Sequence, residues 1–507
     1  MNILHEMKQN CPGKLLFALA AGLLNFQVVA AEPPAPYGPV PMPRQLCRET
    51  NAFWGFLHFG VNTFTDREWG NGDEDPNVFD PTNFDPDQIV RTAKMAGMKG
   101  LVLTCKHHDG FCLWPTAYTT HSVKYSKWYK EQEAKKPGSG DVVKDISDAC
   151  HKYGLKFGVY LSPWDRNNAS YGTPAYLTYY RNELRELLTH YGPIYEVWFD
   201  GANGGSGYYG GARETRTINN RVYYDWPNTW AMVRKLQPHA VMFSDGGPDI
   251  RWAGNEDGFA GDPCWETLNA GEFGPGYGPG DDHSEILNSG QRDGTNWLPA
   301  ECDVSIRRPD WFYHASDNDK VLTPEQLLEI YYKSIGRGAA LILNLPPDRN
   351  GQIHSNDVAS LRGFRRILDE TFAHNLARGA KITASNVRGN DKQFSPRNVL
   401  DGNRNTYWST DDSVTNANLI LDLGKPKTFN VVRLREYLPL GQRVNTYALD
   451  DWQDGKWNEF AKGESIGNCR LVRGQNVTTT KVRVRFSGPV CLAISEVGLF
   501  AEPPESK

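Results

Sequence analysis

Between Phe53 and Phe372, short and continuously apolar runs alternate with capped, amphipathic segments, and this alternation constrains the fold more than any other feature. The runs are Phe53–Phe59, Gly100–Cys105, Lys156–Pro163, Tyr195–Asp200, Ala240–Asp245 and Ala339–Leu345. Apolar runs without period-two polarity suit parallel strands buried on both faces. Between them, Asp85-Pro86-Asp87-Gln88 reads as a helix start and Gly97 as its stop. Val142, Val143, Ile146, Cys150 and Tyr153 share one helical face that Gly154 closes. Thr323-Pro324-Glu325-Gln326 repeats the capped start. Strand–helix alternation of this length predicts an α/β fold of the (β/α)₈, TIM-like type. The stretch 246–322, rich in Gly, Asp, Pro and Trp, resists assignment; it is expected to hold one or two more strands, with Leu298–Ile306 a candidate. An open doubly wound sheet is the alternative, but no Gly-rich phosphate loop follows the first strand.

After His374 the texture changes. Helical stripes vanish and alternating runs such as Lys481-Val482-Arg483-Val484-Arg485-Phe486 appear, as expected of an all-β sandwich. The chain therefore divides into 1–31, 32–373 and 374–507.

The first of these pieces has Lys8 and Lys14, a short apolar run Leu15–Leu24, and Val29-Ala30-Ala31 before Glu32. That is the pattern of a cleaved signal peptide, and the apolar run is too short to span a bilayer. The mature chain is expected to be exported, either periplasmic or extracellular, with no membrane span. A formal net charge of −5 over 507 residues gives no general pull towards nucleic acid. Of nine cysteines, eight follow the signal segment. Export permits disulfides, and Cys105–Cys112 and Cys469–Cys491 are possible pairs.

In a barrel, reactive side chains gather at the carboxyl ends of the strands. Here those ends offer His58, Lys106-His107-His108-Asp109-Gly110, Tyr160, Trp198, Asp200 and Asp245, with Glu68-Trp69 and Arg251-Trp252 in neighbouring loops. There is no nucleophile-elbow serine and no HExxH. Two chemistries fit. One is metal-assisted hydrolysis on His58, His107, His108 and Asp200, although adjacent histidines on an extended strand point apart. The other is glycoside hydrolysis by paired carboxylates, with carboxyl groups about 5–5.5 Å apart in a retaining enzyme. Asp200, at a strand end before Gly201, is the candidate nucleophile; an Asp before Gly is also a common turn.

The segments Trp54-Gly55-Phe56-Leu57-His58-Phe59-Gly60, His107-His108-Asp109-Gly110-Phe111, Val197-Trp198-Phe199-Asp200-Gly201 and Leu343-Asn344-Leu345-Pro346-Pro347 resemble the α-L-fucosidases of glycoside hydrolase family 29. The resemblance runs from about Pro36 to Phe372. It implies a retaining mechanism needing no cofactor, with Asp200 as nucleophile. It implies a fucose pocket of His58, Glu68, Trp69, His107, His108, Tyr160 and Trp198, with Arg251 as a downstream member. Asp249-Ile250-Arg251-Trp252-Ala253-Gly254-Asn255-Glu256 resembles the subgroup acting on branched α-1,3/1,4-linked fucose, which implies Glu256 as general acid/base; Glu301 and Glu266 compete for that role. The implied partners are fucosylated oligosaccharides or glycoconjugates. The alternatives are a broad-specificity fucosidase with another acid/base, and a glycan-binding protein with an inactive barrel.

Asn398-Val399-Leu400-Asp401-Gly402-Asn403-Arg404-Asn405-Thr406-Tyr407-Trp408-Ser409 and Ile494-Ser495-Glu496-Val497-Gly498-Leu499-Phe500 resemble the discoidin-like, coagulation factor 5/8 type C module. Such modules often hold a structural Ca²⁺, which implies Asp401, Asn403, Thr406 and Glu496 as oxygen ligands; a plain Asp-Gly turn is the other reading. The module either binds carbohydrate, with Trp452 and Trp457 as a stacking surface, or braces the barrel.

Overall fold

The computed structural model describes residues 31–272 and 284–504. The expected signal peptide lies outside the described residues except for Ala31. Helix α1, Pro43–Thr50, leads into a closed barrel of eight parallel strands. These are β1 Phe53–Leu57, β2 Gly100–Lys106, β3 Lys156–Leu161, β4 Glu196–Trp198, β5 Val241–Ser244, β6 Ile250–Trp252, β7 Ala300–Ser305 and β8 Ala340–Asn344. They neighbour one another in chain order, and the ring closes where Trp54 of β1 lies opposite Ile342 of β8. This is the (β/α)₈ class expected from the alternation.

The helices form where the caps predicted them. In α2, Pro86–Ala96, the Asp85 side chain accepts the Gln88 N–H at 2.8 Å and Gly97 ends the helix at φ 96°. A side chain at that φ would be strained, and a Cβ would meet the Arg365 guanidinium. Asp141 and Gly154 bound α3, Val142–Tyr153, in the same way. Then come α4 Pro174–His190, α5 Trp226–Leu236, α6 Ser284–Ser289, α7 Pro324–Lys333 with its Thr323–Gln326 capping box, and α8 Ser355–Phe372.

The unassigned stretch holds two barrel strands, β6 and β7. β6 escaped notice because it is three residues long and joins β5 without a helix. Residues 245–249 make that connection, tied down by Asp249. Its Oδ2 accepts the Met242 N–H at 2.9 Å, and Arg44 and Arg234 pair with the same carboxylate.

Two apolar layers result. Trp54, Phe56, Val102, Tyr160, Trp198, Phe243, Ile250, Trp252 and Ile342 fill the barrel interior. Leu57, Leu103, Val159, Val197, Val304 and Leu343 point outwards to the helices. Alternation along each strand makes both layers necessary, and each fully buried aliphatic side chain contributes roughly 1.5–3 kcal/mol.

The carboxyl-terminal part is an antiparallel sheet of β9 Lys381–Ala384, β10 Trp408–Ser409, β11 Asn416–Glu436, β12 Thr446–Gln453, β13 Lys456–Glu464, β14 Arg470–Ser487 and β15 Ala493–Phe500. The long pair β11 and β14 carries register shifts after Asp422 and Phe429, where extra residues bend the ladder over its own core. Val431, Cys469, Leu471 and Phe500 pack instead with the barrel's outer core, so the two parts share an apolar seam. The Leu471 N–H donates to Gly336 O at 2.8 Å, and Arg473 pairs with Glu329 at 3.3 Å across it.

All eight described cysteines are free thiols, so neither of the two possible pairings forms. Cys105 lies on β2, its Sγ towards Leu103 O, whereas Cys112 Sγ faces Gly110 O and Glu183. Cys469 sits in the seam between the two parts and Cys491 beside Arg443. Among the described residues no helix is long and apolar enough to cross a membrane.

Candidate active site

At the carboxyl ends of the strands lies an open-mouthed hollow of about 340 Å³. His58, Trp69, His107, His108, Trp198, Asp200, Asp245, Trp252, Glu256, Asp303 and Trp311 line it. Of the expected pocket residues, His58, Trp69, His107, His108, Trp198, Asp200 and Glu256 are thus brought together.

Asp200 follows β4, whose last residue Trp198 is clamped by Phe243 in a stacked contact of 4.0 Å. The Asp200 carboxylate is oriented by two donors: Ala202 N–H to Oδ1 at 2.7 Å and Tyr160 O–H to Oδ2 at 3.0 Å. Tyr160 is fully buried behind the wall and reaches the site through that hydroxyl.

Glu256 stands in the loop after β6. Trp311 Nε1 and the Arg308 guanidinium each donate to its Oε2 at 3.3 Å. Burial pushes the Glu256 carboxyl up; Arg308 and the Trp311 N–H oppose that rise, and the negative charges of Asp200 and Asp257 add to it. Asp303, on β7, is held well above the usual carboxylate range by burial and then by Glu256, against a hydrogen bond from Trp252 Nε1 at 2.8 Å.

The histidines are neutral. Burial pulls His58 down to about 3. It also pulls His107 well below its ordinary value and lowers His108. Asn344 Nδ2 donates to Trp311 O at 2.7 Å and to Ser305 Oγ at 3.1 Å, which leaves Asn344 Oδ1 to accept from His58 Nδ1 at 2.9 Å. His58 therefore carries its proton on Nδ1 and has a bare Nε2. His107 Nδ1 is buried and has no hydrogen-bond partner among the described residues. These histidines and Asp200 do not bring three ligand atoms within 4.8 Å of one another, so they lack the convergence a metal-hydrolase site needs.

Two expectations fail at the pocket. Arg251 does not line it. On a strand as short as β6 alternate side chains point apart, so Trp252 faces in and Arg251 faces out to Leu287 O at 2.7 Å, Leu298 O and Cys264 Sγ. The cation beside Glu256 is Arg308. Glu68 does not line the hollow either. Its carboxylate accepts the Trp311 and Phe312 N–H groups at 2.7 and 3.0 Å and pairs with His314 at 2.8 Å, fastening the loop that carries Trp311. Neither rival acid reaches the hollow. Glu301 is buried under it, and Glu266 lies in the seam with the carboxyl-terminal sheet, accepting the Asn468 N–H at 3.1 Å.

Asp303 and Trp311 were not foreseen. Asp303 was legible in principle, because Glu301 and Asp303 share a strand face and the later residue lies nearer the mouth. Trp311 sits in an irregular loop with no motif around it.

The implied calcium set also fails. Asp401 accepts from Asn403 N at 2.7 Å and from Thr406 Oγ1 at 2.7 Å, which makes it a turn cap. Both oxygens of Glu496 are taken by Arg433 and Arg435. A carboxylate neutralised by two guanidiniums is a poor ligand for a hard cation, so these residues do not fit Ca²⁺. Trp452 and Trp457 pack edge to face at 4.9 Å, and Lys481 and Arg483 lie over their rings.

The α-L-fucosidase family profile matches residues 54–370 and the F5/8 type C profile matches 381–492. Alpha-L-fucosidase 1 of Arabidopsis thaliana is 41% identical over 452 residues, 88% of this chain and 84% of that protein. A glycoside hydrolase 29 member from an unknown rumen bacterium superposes with a TM-score of 0.79 at 40% identity, covering 92% of this chain and 78% of that one. A Ruminococcus gnavus family 29 fucosidase in complex with fucose superposes with a TM-score of 0.84 at 31% identity, covering 95% and 99%. With an eight-stranded barrel, a carboxylate-bearing hollow at its mouth and these relatives, the chain belongs to the α-L-fucosidases of glycoside hydrolase family 29, followed by an F5/8 type C module.

Proposed function

We propose that the chain is an exo-acting, retaining α-L-fucosidase in which Asp200 is the nucleophile and Glu256 the general acid/base. One observation carries the reading: Asp200 and Glu256 line the same hollow, and the charge of Asp200 helps keep a proton on Glu256. Asp200 attacks the anomeric carbon while Glu256 protonates the departing oxygen. Glu256, now a base, takes a proton from water, which displaces Asp200 and frees the sugar with its configuration kept. The bare Nε2 of His58 suits a hydroxyl donor of the sugar, while Trp198 and Phe56 suit its apolar face. The fucose complex of the R. gnavus relative supports this reading of the hollow.

Terminal fucose in α-1,3/1,4 linkage on Lewis-type branches is the proposed substrate, because of the likeness around Asp249–Glu256 to enzymes of that preference. The proposed location is the periplasm or cell exterior, on the composition of residues 1–31. Cell fractionation checks the location: a wholly cytoplasmic product refutes it.

The decisive experiment compares Asp200→Ala and Glu256→Ala on an aryl α-L-fucoside and on Lewis-type trisaccharides, with a 2-linked fucoside as contrast. Asp200→Ala is expected to abolish turnover while folding persists. Azide is expected to rescue Glu256→Ala on the aryl fucoside, where leaving-group protonation matters least. Wild-type-like activity in either variant refutes its assignment, and preference for the 2-linked fucoside refutes the linkage.

A further inference from the structure

Directly beneath the hollow, a buried ion pair enters the barrel from its amino-terminal end. Arg48 comes from α1, which precedes the residues matched by the fucosidase profile. Its Nε donates to Glu196 Oε2 at 2.7 Å, at the start of β4, and its terminal nitrogen Nη2 pairs with Glu301 Oε2 on β7. The other oxygen of Glu301, Oε1, accepts the indole N–H of Trp198 at 3.0 Å. Trp198 is the pocket wall two residues before Asp200. Arg48, Glu196 and Glu301 are all almost fully buried, and the Arg48 guanidinium also lies over Trp54 at 4.7 Å.

We propose that Arg48 and Glu301 are positioning residues of the fucosidase site, a two-link clamp that sets the plane of Trp198 and through it the strand end bearing Asp200. The inference rests on the fucosidase reading above. Three features favour positioning over plain stability. The clamp has a direction, since every link is a single specific contact running from α1 to the pocket wall. Its outer end is itself pinned, because Asn468 Nδ2 of the carboxyl-terminal module donates to Glu49 O, one residue along α1, at 2.8 Å. And an apolar plug would close the barrel floor without burying charge, which is costly unless each group is paired. Burial lifts Glu196 to about 8, with Arg48 opposing that rise and Glu301 adding to it.

The test is a double-mutant cycle on an aryl α-L-fucoside, with far-ultraviolet circular dichroism as the folding control. Glu301→Leu is expected to raise KM about tenfold, the worth of one good charged hydrogen bond, with a smaller change in kcat. Glu301→Gln keeps an oxygen facing the indole and is expected to recover to within about threefold of wild type. In a Trp198→Phe background, which has no indole N–H to hold, Glu301→Leu is expected to cost less than about twofold, because its effect acts through that residue. Equal cost in both backgrounds, or no recovery with Glu301→Gln, overturns the proposal. Should Glu301→Leu not fold, the same comparison is made with Glu301→Gln, whose smaller cost must vanish beside Trp198→Phe; equal cost again overturns it. Wild-type turnover is a separate control. If it is absent, the fucosidase reading fails, and the clamp is then judged by the same variant contrast in fucose binding measured by calorimetry.

Discussion

Tyr160 donates its phenolic proton to Asp200 Oδ2 across 3.0 Å, from a position with no exposure of its own. The carboxylate is thereby aimed by the third strand of the barrel as well as by its own loop, whose Ala202 N–H holds the other oxygen. In the proposed mechanism, Tyr160→Phe removes a donor that matters most when Asp200 regains its negative charge on departure from the sugar. A hydrogen bond to a charged group is worth about 1.5–3 kcal/mol, so kcat is expected to fall roughly 10- to 100-fold. Pre-steady-state kinetics checks the step affected: glycosyl-enzyme should accumulate in the variant, and its absence would count against this role.

Arg308 lowers the proton affinity of Glu256. Replacing it by Gln removes a cation, so Glu256 should hold its proton to higher pH. The alkaline limb of kcat/KM is then expected to move upward in pH, since that limb reports loss of the acid's proton. An unmoved or lowered limb would show that another group governs it.

In the proposed mechanism, Glu68 acts through the loop it fastens. Glu68→Ala frees the Trp311 and Phe312 N–H groups and the His314 ring together. Trp311 then loses its fixed place beside Glu256, and kcat/KM is expected to drop by at least about tenfold. A variant that keeps full activity would mean that the remaining contacts, such as Trp311 O with Asn344 Nδ2, suffice.

Lys106 is fully buried between Asp165 at 3.1 Å and Glu183 at 2.6 Å, directly before the histidine pair. Lys106→Met leaves two buried carboxylates without their cation. The expected cost is about 3–5 kcal/mol, read as a clear fall in the thermal midpoint. An unchanged midpoint would mean that the acids simply protonate.

His58 is pulled down to about 3 in the fold, against about 6.5 in a free chain. Between those values the unfolded chain binds the extra proton. The contribution of His58 to stability is therefore complete above about pH 6.5 and is lost as pH falls towards 3. His58→Gln should flatten the acid side of the stability curve, as followed by thermal midpoints from neutral pH downward.

The amino-acid sequence by itself determined the repeating architecture. Parallel strands buried on both faces need unbroken apolar runs, and helices need caps, so Asp85, Asp141, Gly97, Gly154 and Thr323 announce their elements locally. The same local logic put His58, His107, His108, Trp198 and Asp200 at one end of the barrel. Only the tertiary structure decided which neighbours face the hollow. Arg251 and Trp252 differ by one position on a three-residue strand, and pairing with β5 and β7 sets which of them turns inward. Glu301, Glu266 and Glu256 are equivalent as carboxylates in a sequence; depth in the barrel sets the first beneath the hollow, the domain seam claims the second, and of the three only the third lines the hollow with Asp200. Asp401 and Glu496 carry the right atoms for a cation, but the first is consumed as the cap of its own turn and the second by two arginines about sixty residues away. Backbone preference is written within a few residues, whereas the partner of a side chain is chosen by packing across hundreds.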